Sequence, residues 1–82
     1  MNRTTEKRLL ATIRKCNEYT NMLGDLVDAG RKNSAAYERA VAAHDKLYDL
    51  VCGSEEAWDW AEDPLYELGA VIYQYKQGVA AS

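Results

Sequence analysis

"RLLATIRKCNEYTNMLGDLV", residues 8–27, is the stretch on which the fold turns. Its apolar or neutral residues Leu9, Ile13, Cys16, Thr20, Leu23 and Val27 follow one another at intervals of 4, 3, 4, 3 and 4. That period draws one unbroken stripe along a helix, because residues three and four apart share a face. Leu10 and Leu26 widen the stripe. Upstream, Thr4 or Thr5 can cap the helix, with Glu6 in its first turn. Downstream, "DAGRKNS" (28–34) closes it, with Gly30 as a left-handed cap. The reading is a helix over about 5–29 whose weak point is Gly24.

Two further stripes follow. Asn33 or Ser34 opens a second helix on which Tyr37, Val41, His44, Tyr48 and Val51 repeat at 4, 3, 4 and 3, flanked by Ala40 and Leu47, and Gly53 ends it. The connection of about four residues predicts an antiparallel hairpin with the shallow crossing of coiled-coil-like packing. In "SEEAWDWAEDP" (54–64), Ser54 is a cap, Glu55 and Glu56 occupy a first turn that favours anions, and the segment predicts a short helix of about two turns. Asp63 and Pro64 then form a second start signal. From there Leu65, Leu68, Ile72, Tyr75 and Val79 predict a final helix over about 64–77, with "GVAAS" fraying. No strand period appears. The expected class is all-α: an antiparallel helical hairpin carrying a short acidic helix and a C-terminal docking helix, in one small domain over 1–82.

Composition narrows the function. The 82 residues are 48% hydrophobic and 28% charged, values of an ordinary globular protein rather than a disordered one. A net charge of −3 argues against nonspecific binding to nucleic acid or anionic lipid, which needs an excess of Lys and Arg. No apolar run approaches the about 18 residues of a membrane span, and two cysteines, Cys16 and Cys52, are too few for a secreted disulfide scaffold, so the cytoplasm is the expected location. Their positions along the hairpin disfavour a bridge between them, and both read as reduced, buried, small apolar residues.

Charge is unevenly spread. Residues 1–20 carry Arg3, Lys7, Arg8, Arg14 and Lys15 against Glu6 and Glu18, whereas residues 53–70 carry six acids and no base. A hairpin brings the acidic segment back beside the basic one, so charge complementarity within the chain, or across a symmetric dimer, is one expected use of it. The other is a partner. Trp58 and Trp60, two residues apart, cannot share a helical face, so one is expected under the hairpin and the other partly exposed. An exposed indole ringed by Glu55, Glu56, Asp59 and Glu62 suits a partner with a basic rim. Tyr66 and Tyr73 join these as candidate contacts, since tyrosine serves boundary positions where a ring packs and a hydroxyl stays wet.

Catalytic and metal chemistry find less support. His44, the one histidine, lies on the stripe of the second helix and reads as a packed histidine rather than a general base. No metal-ligand spacing joins it to the cysteines, and no nucleophile-elbow or phosphate-loop glycine pattern occurs. No cofactor is expected. "IYQYKQG" (72–78) has a single lysine, too little for a nucleic-acid patch; Ile72 and Tyr75 should dock while Tyr73 and Lys76 stay outside. The fragments "RLLATIRKC" and "KLYDLVCGSEEAW" resemble pieces of the small enterobacterial modulators that bind nucleoid-associated proteins, but they demand incompatible alignments of the stretch between them, and no family is assigned.

The reading is therefore a non-enzymatic module that binds another protein stoichiometrically, as regulator or inhibitor, in the style of small phage and mobile-element products. Association into a homodimer is expected, because the first two stripes are wider than one hairpin needs and so short a chain buries little surface. The alternatives are an acidic mimic of DNA and a small dimeric helical enzyme.

Overall fold

Each of the three α-helices begins on a side chain that accepts a backbone N–H left unpaired by the helix itself. In the computed structural model, which describes residues 2–80, these helices are α1 (Arg3–Ala29), α2 (Ser34–Val51) and α3 (Glu55–Gln74). The caps are Asn2, accepting from Thr5 at 2.8 Å, Asn33, accepting from Ala36 at 3.0 Å, and Ser54, accepting from Ala57 at 3.3 Å. The cap of α1 is thus Asn2 rather than Thr4 or Thr5, because asparagine caps as well as threonine and starts the helix earlier. At the other end Gly30 takes φ 64. Its N–H reaches Val27 O at 3.1 Å and that of Arg31 reaches Leu26 O at 2.9 Å, the paired bonds of a Schellman stop.

The fold is all-α: α1 and α2 form the antiparallel hairpin, and α3 lies against both. The three form a rod of 44 × 17 × 15 Å. One expectation is overturned. The short acidic helix and the final helix are a single helix that runs through Pro64 without a second start at Asp63. An interior proline removes one N–H bond and costs about 3 kcal/mol relative to alanine. Here Ala57, Ala61, Leu65 and Leu68 continue one buried seam across it, and burial against two helices outweighs the local signal. Nor does the end fray from residue 78. Tyr75–Val79 form a π-helical turn, closed by Ala80 N–H on Tyr75 O at 2.9 Å, and Val79 is buried. Ala81 and Ser82 lie outside the described residues.

The seam of α1 is close to expectation, with Leu9, Cys16 and Leu23 buried and Ile13, Leu26 and Val27 packed against them. Leu10, however, faces out. Thr12 is also buried, its hydroxyl donating to Arg8 O at 2.8 Å. On α2 the phase shifts. The buried line is Ala36, Ala40, Leu47 and Val51, while Tyr37, Val41 and His44 are half-buried and Tyr48 is exposed. Alanines occupy the line of closest approach because helix axes draw together where side chains are small. The larger stripe is displaced onto the flank.

Two features fix the register. The Cys16 thiol donates to Ala43 O at 3.4 Å across the hairpin, and Asn33 N–H donates to the Tyr75 hydroxyl at 2.8 Å, with the Tyr75 ring stacked on Tyr37 at 5.2 Å. Both cysteines are free, Cys16 buried and Cys52 exposed, so the expectation of two buried thiols holds only for Cys16. Burial pushes the Cys16 pKa up to about 11 from 9.0. The unfolded thiol ionises near 9 while the folded one stays protonated until about 11, so the unfolded state is favoured as pH rises between these values. Wild type should therefore lose stability relative to Cys16→Ala over that window, by about 2 to 3 kcal/mol, in urea titrations at stepped pH. Alkylation read by intact mass should add one adduct to the native chain, at Cys52, and a second only in denaturant.

Gly24 is the other position at which the helix can be improved. A Cβ there meets nothing within 4 Å. Gly24→Ala should stabilise the fold by about 0.5 to 1 kcal/mol and raise Tm by several degrees in a thermal melt. An unchanged Tm would show that α1 is not continuously helical around residue 24.

Candidate interaction face

Five large aromatic side chains reach solvent: Tyr48 (50% exposed), Trp58 (40%), Trp60 (39%), Tyr66 (78%) and Tyr73 (64%). Neither indole is buried, which corrects the expectation that one would lie under the hairpin. The reason is local. Ala57 and Ala61 sit on the seam between them, so Trp58 and Trp60 fall on opposite flanks of α3.

Trp58 turns toward α2. The two rings, Trp58 and Tyr48, stand edge to face with centroids 6.3 Å apart and planes at 84°, an arrangement worth about 0.5 to 1.5 kcal/mol beyond area burial. Around the pair, Val51, Cys52, Gly53, Ser54, Glu55 and Asp59 line an open hollow at the turn between α2 and α3. Gly53 makes that turn with φ 88, a left-handed value that strains other residues.

Along α3 from Trp58, Glu62, Tyr66, Gly69 and Tyr73 recur at 4, 4, 3 and 4 and continue the same flank. Tyr66 and Tyr73 border a shallow groove with Gly69 and Ala70 at its floor. His44 of α2 packs at Gly69: its Nε2 lies 3.5 Å from where a Cβ on Gly69 would stand, so the missing side chain lets the imidazole lie against α3. His44 Nδ1 is 3.8 Å from Asp45.

Six of the eight candidate contacts, Glu55, Trp58, Asp59, Glu62, Tyr66 and Tyr73, therefore share one side of α3. Trp60 and Glu56 belong to the other. Tyr48 completes the face, and its period placed it in the hairpin seam. The sign that it would not be buried is the parallel run of alanines at 36, 40 and 43, which competes for that seam.

The basic stretch does lie at the same end of the rod as the start of α3, as an antiparallel hairpin requires. Among the described residues, however, no ion pair joins Lys7, Arg8, Arg14 or Lys15 to Glu55, Asp59 or Glu62; Lys15 pairs instead with Glu18 at 3.6 Å. The described residues hold no group of three or more His, Cys, Asp or Glu placed to bind a metal, and no helix long and apolar enough to cross a membrane.

The class defined by these features is a three-helix rod with an aromatic, acidic flank. In comparisons with known proteins, no family model, no curated protein and no solved structure matches the chain.

Proposed function

We propose that the chain is a non-enzymatic protein-binding module that regulates or inhibits another protein by stoichiometric capture through the Tyr48 and Trp58 flank. The observation that carries this reading is the exposed, edge-to-face Tyr48 and Trp58 pair at the head of a helix with no lysine or arginine between Gly53 and Tyr75. Aromatic anchors supply most of the energy at protein interfaces, while rim charges select the partner and speed encounter. The partner's complementary surface is an apolar slot with a basic rim. Two free thiols fit a reducing compartment, and we place the chain in the cytoplasm. An origin among the phage and mobile-element proteins that block host machinery is part of this proposal, and the acidity of the chain supports it.

The test is affinity capture with wild type, Trp58→Ala, and the neutral pair Asp59→Asn with Glu62→Gln. Capture that fails in the indole variant and weakens only several-fold in the neutral pair supports an anchored binder. Capture that depends on the carboxylates alone, and that DNA competes away, would favour the mimic of DNA. Equal capture by all three variants would sink both.

A further inference from the structure

The opposite sign of charge gathers on another side of the rod. Between α1 and α2 runs a groove rimmed by Arg14, Lys15, Arg39 and Lys46 and lined between them by Ala11, Thr12, Tyr19, Ala42 and Ala43. It continues past Arg8, Lys46 and Leu50 toward the start of α1. Glu18 is the one acid among the lining residues, and it pairs with Lys15. Five cations around mostly small residues, four of them without an ion pair among the described residues, form a surface that takes an acidic helix: small residues admit a helix closely, and the cationic rims meet carboxylates on both sides.

The chain itself carries such a helix. Glu55, Asp59, Glu62 and Tyr66 are exposed on one side of α3 and span about 16 Å, the same length as the groove from Arg8 to Tyr19 at 1.5 Å per residue. We infer that the groove between α1 and α2 receives the acidic flank of α3 from a second copy of this chain. Groove and flank are different surfaces of one molecule, so copies can join either in a two-fold pair that makes the contact twice or head to tail, each offering a groove to one neighbour and a flank to another. This inference rests on the reading of that flank as the partner-binding face and adds its regulation. Self-association covers the flank, and a partner with a more basic rim displaces the neighbouring copy.

Sedimentation of the purified chain tests the contact between copies without any partner, so its failure is read apart from a failure of partner capture, which would remove the regulatory role and leave the contact itself. Wild type at up to about 100 µM, where a micromolar contact is populated, should sediment above the monomer mass. The association should weaken about tenfold or more as salt rises from about 0.1 M to about 1 M, over which the screening length falls from about 10 Å to about 3 Å. Arg14→Glu with Arg39→Glu reverses the groove, and Asp59→Lys with Glu62→Lys reverses the flank. Each variant alone should be monomeric, with its fold checked by circular dichroism, and mixing the two should restore association, because the reversed groove again meets a reversed flank. Wild type that stays monomeric at low salt overturns the inference. So does association that the groove variant leaves intact, or a mixture that fails to recombine. Binding of a labelled oligothymidine by wild type, lost in the groove variant and without self-association, would assign the groove to a phosphate backbone instead and equally overturn it.

Discussion

Tyr75→Ala should strip about 4 to 6 kcal/mol from the stability of the fold, the largest loss expected of any single side chain in the rod. The Tyr75 ring is 3% exposed and stacks on Tyr37 of α2, while its hydroxyl accepts the N–H of Asn33, the residue that caps α2. The π-helical turn that carries it also touches α1, so the turn is tied to both other helices, to α2 through this side chain. Removing a buried aromatic ring costs about 3 to 5 kcal/mol, and the lost bond at the cap adds about 1. A chain of this length has about 4 to 12 kcal/mol in total, at 0.05 to 0.15 kcal/mol per residue. The loss therefore takes a third or more of the whole. Tyr75→Phe keeps the ring and removes only the acceptor, and should cost about 0.5 to 1.5 kcal/mol, a fall in Tm of several degrees. Urea titration followed by circular dichroism separates the two. A phenylalanine variant as unstable as the alanine variant would mean that the hydroxyl, not the stacking, holds the end of the rod.

Much of this architecture was legible because the period of α1 is unambiguous and Gly30 supplies the left-handed stop it needs. α2 was harder for a physical reason. It carries two parallel lines one residue apart, Tyr37, Val41, His44 and Tyr48 beside Ala36, Ala40, Ala43 and Leu47. Hydropathy favours the bulkier line, but a hairpin covered by a third helix has least room along its inner line, and alanine wins there. Pro64 misled in the opposite direction. Asp63 followed by Pro64 is a sound local start signal, yet the seam from Ala57 to Leu68 is buried without a break, and tertiary burial overrides propensity. In the candidate face, the spacing of Trp58 and Trp60 correctly separated them by side. It could not show that neither goes under the hairpin, since that depends on which residues flank the alanine seam. Tyr48 was invisible as a contact for the same cause as the α2 phase.

Trp58→Ala should weaken capture of the partner by about 30-fold or more, the effect of losing an anchor worth about 2 kcal/mol, while Trp60→Ala changes it by less than about threefold. The comparison is well controlled, because the two indoles are equally exposed, lie two residues apart on the same helix, and differ in which flank they occupy. Their variants remove the same atoms and similar exposed area, so a difference between them reports the face and not the loss of a tryptophan. Fold stability should fall by no more than about 1 to 2 kcal/mol for either, since each side chain is partly in water already. Tyr48→Ala should weaken capture too, and its effect should be smaller in the Trp58→Ala background than in wild type, because the tyrosine ring acts by holding the indole in place. A titrated pull-down with the four single and double variants gives the half-saturation of each. Equal losses from Trp58 and Trp60, or full additivity between Tyr48 and Trp58, would remove the α2 side of α3 as the binding face and leave the acidic residues without an anchor.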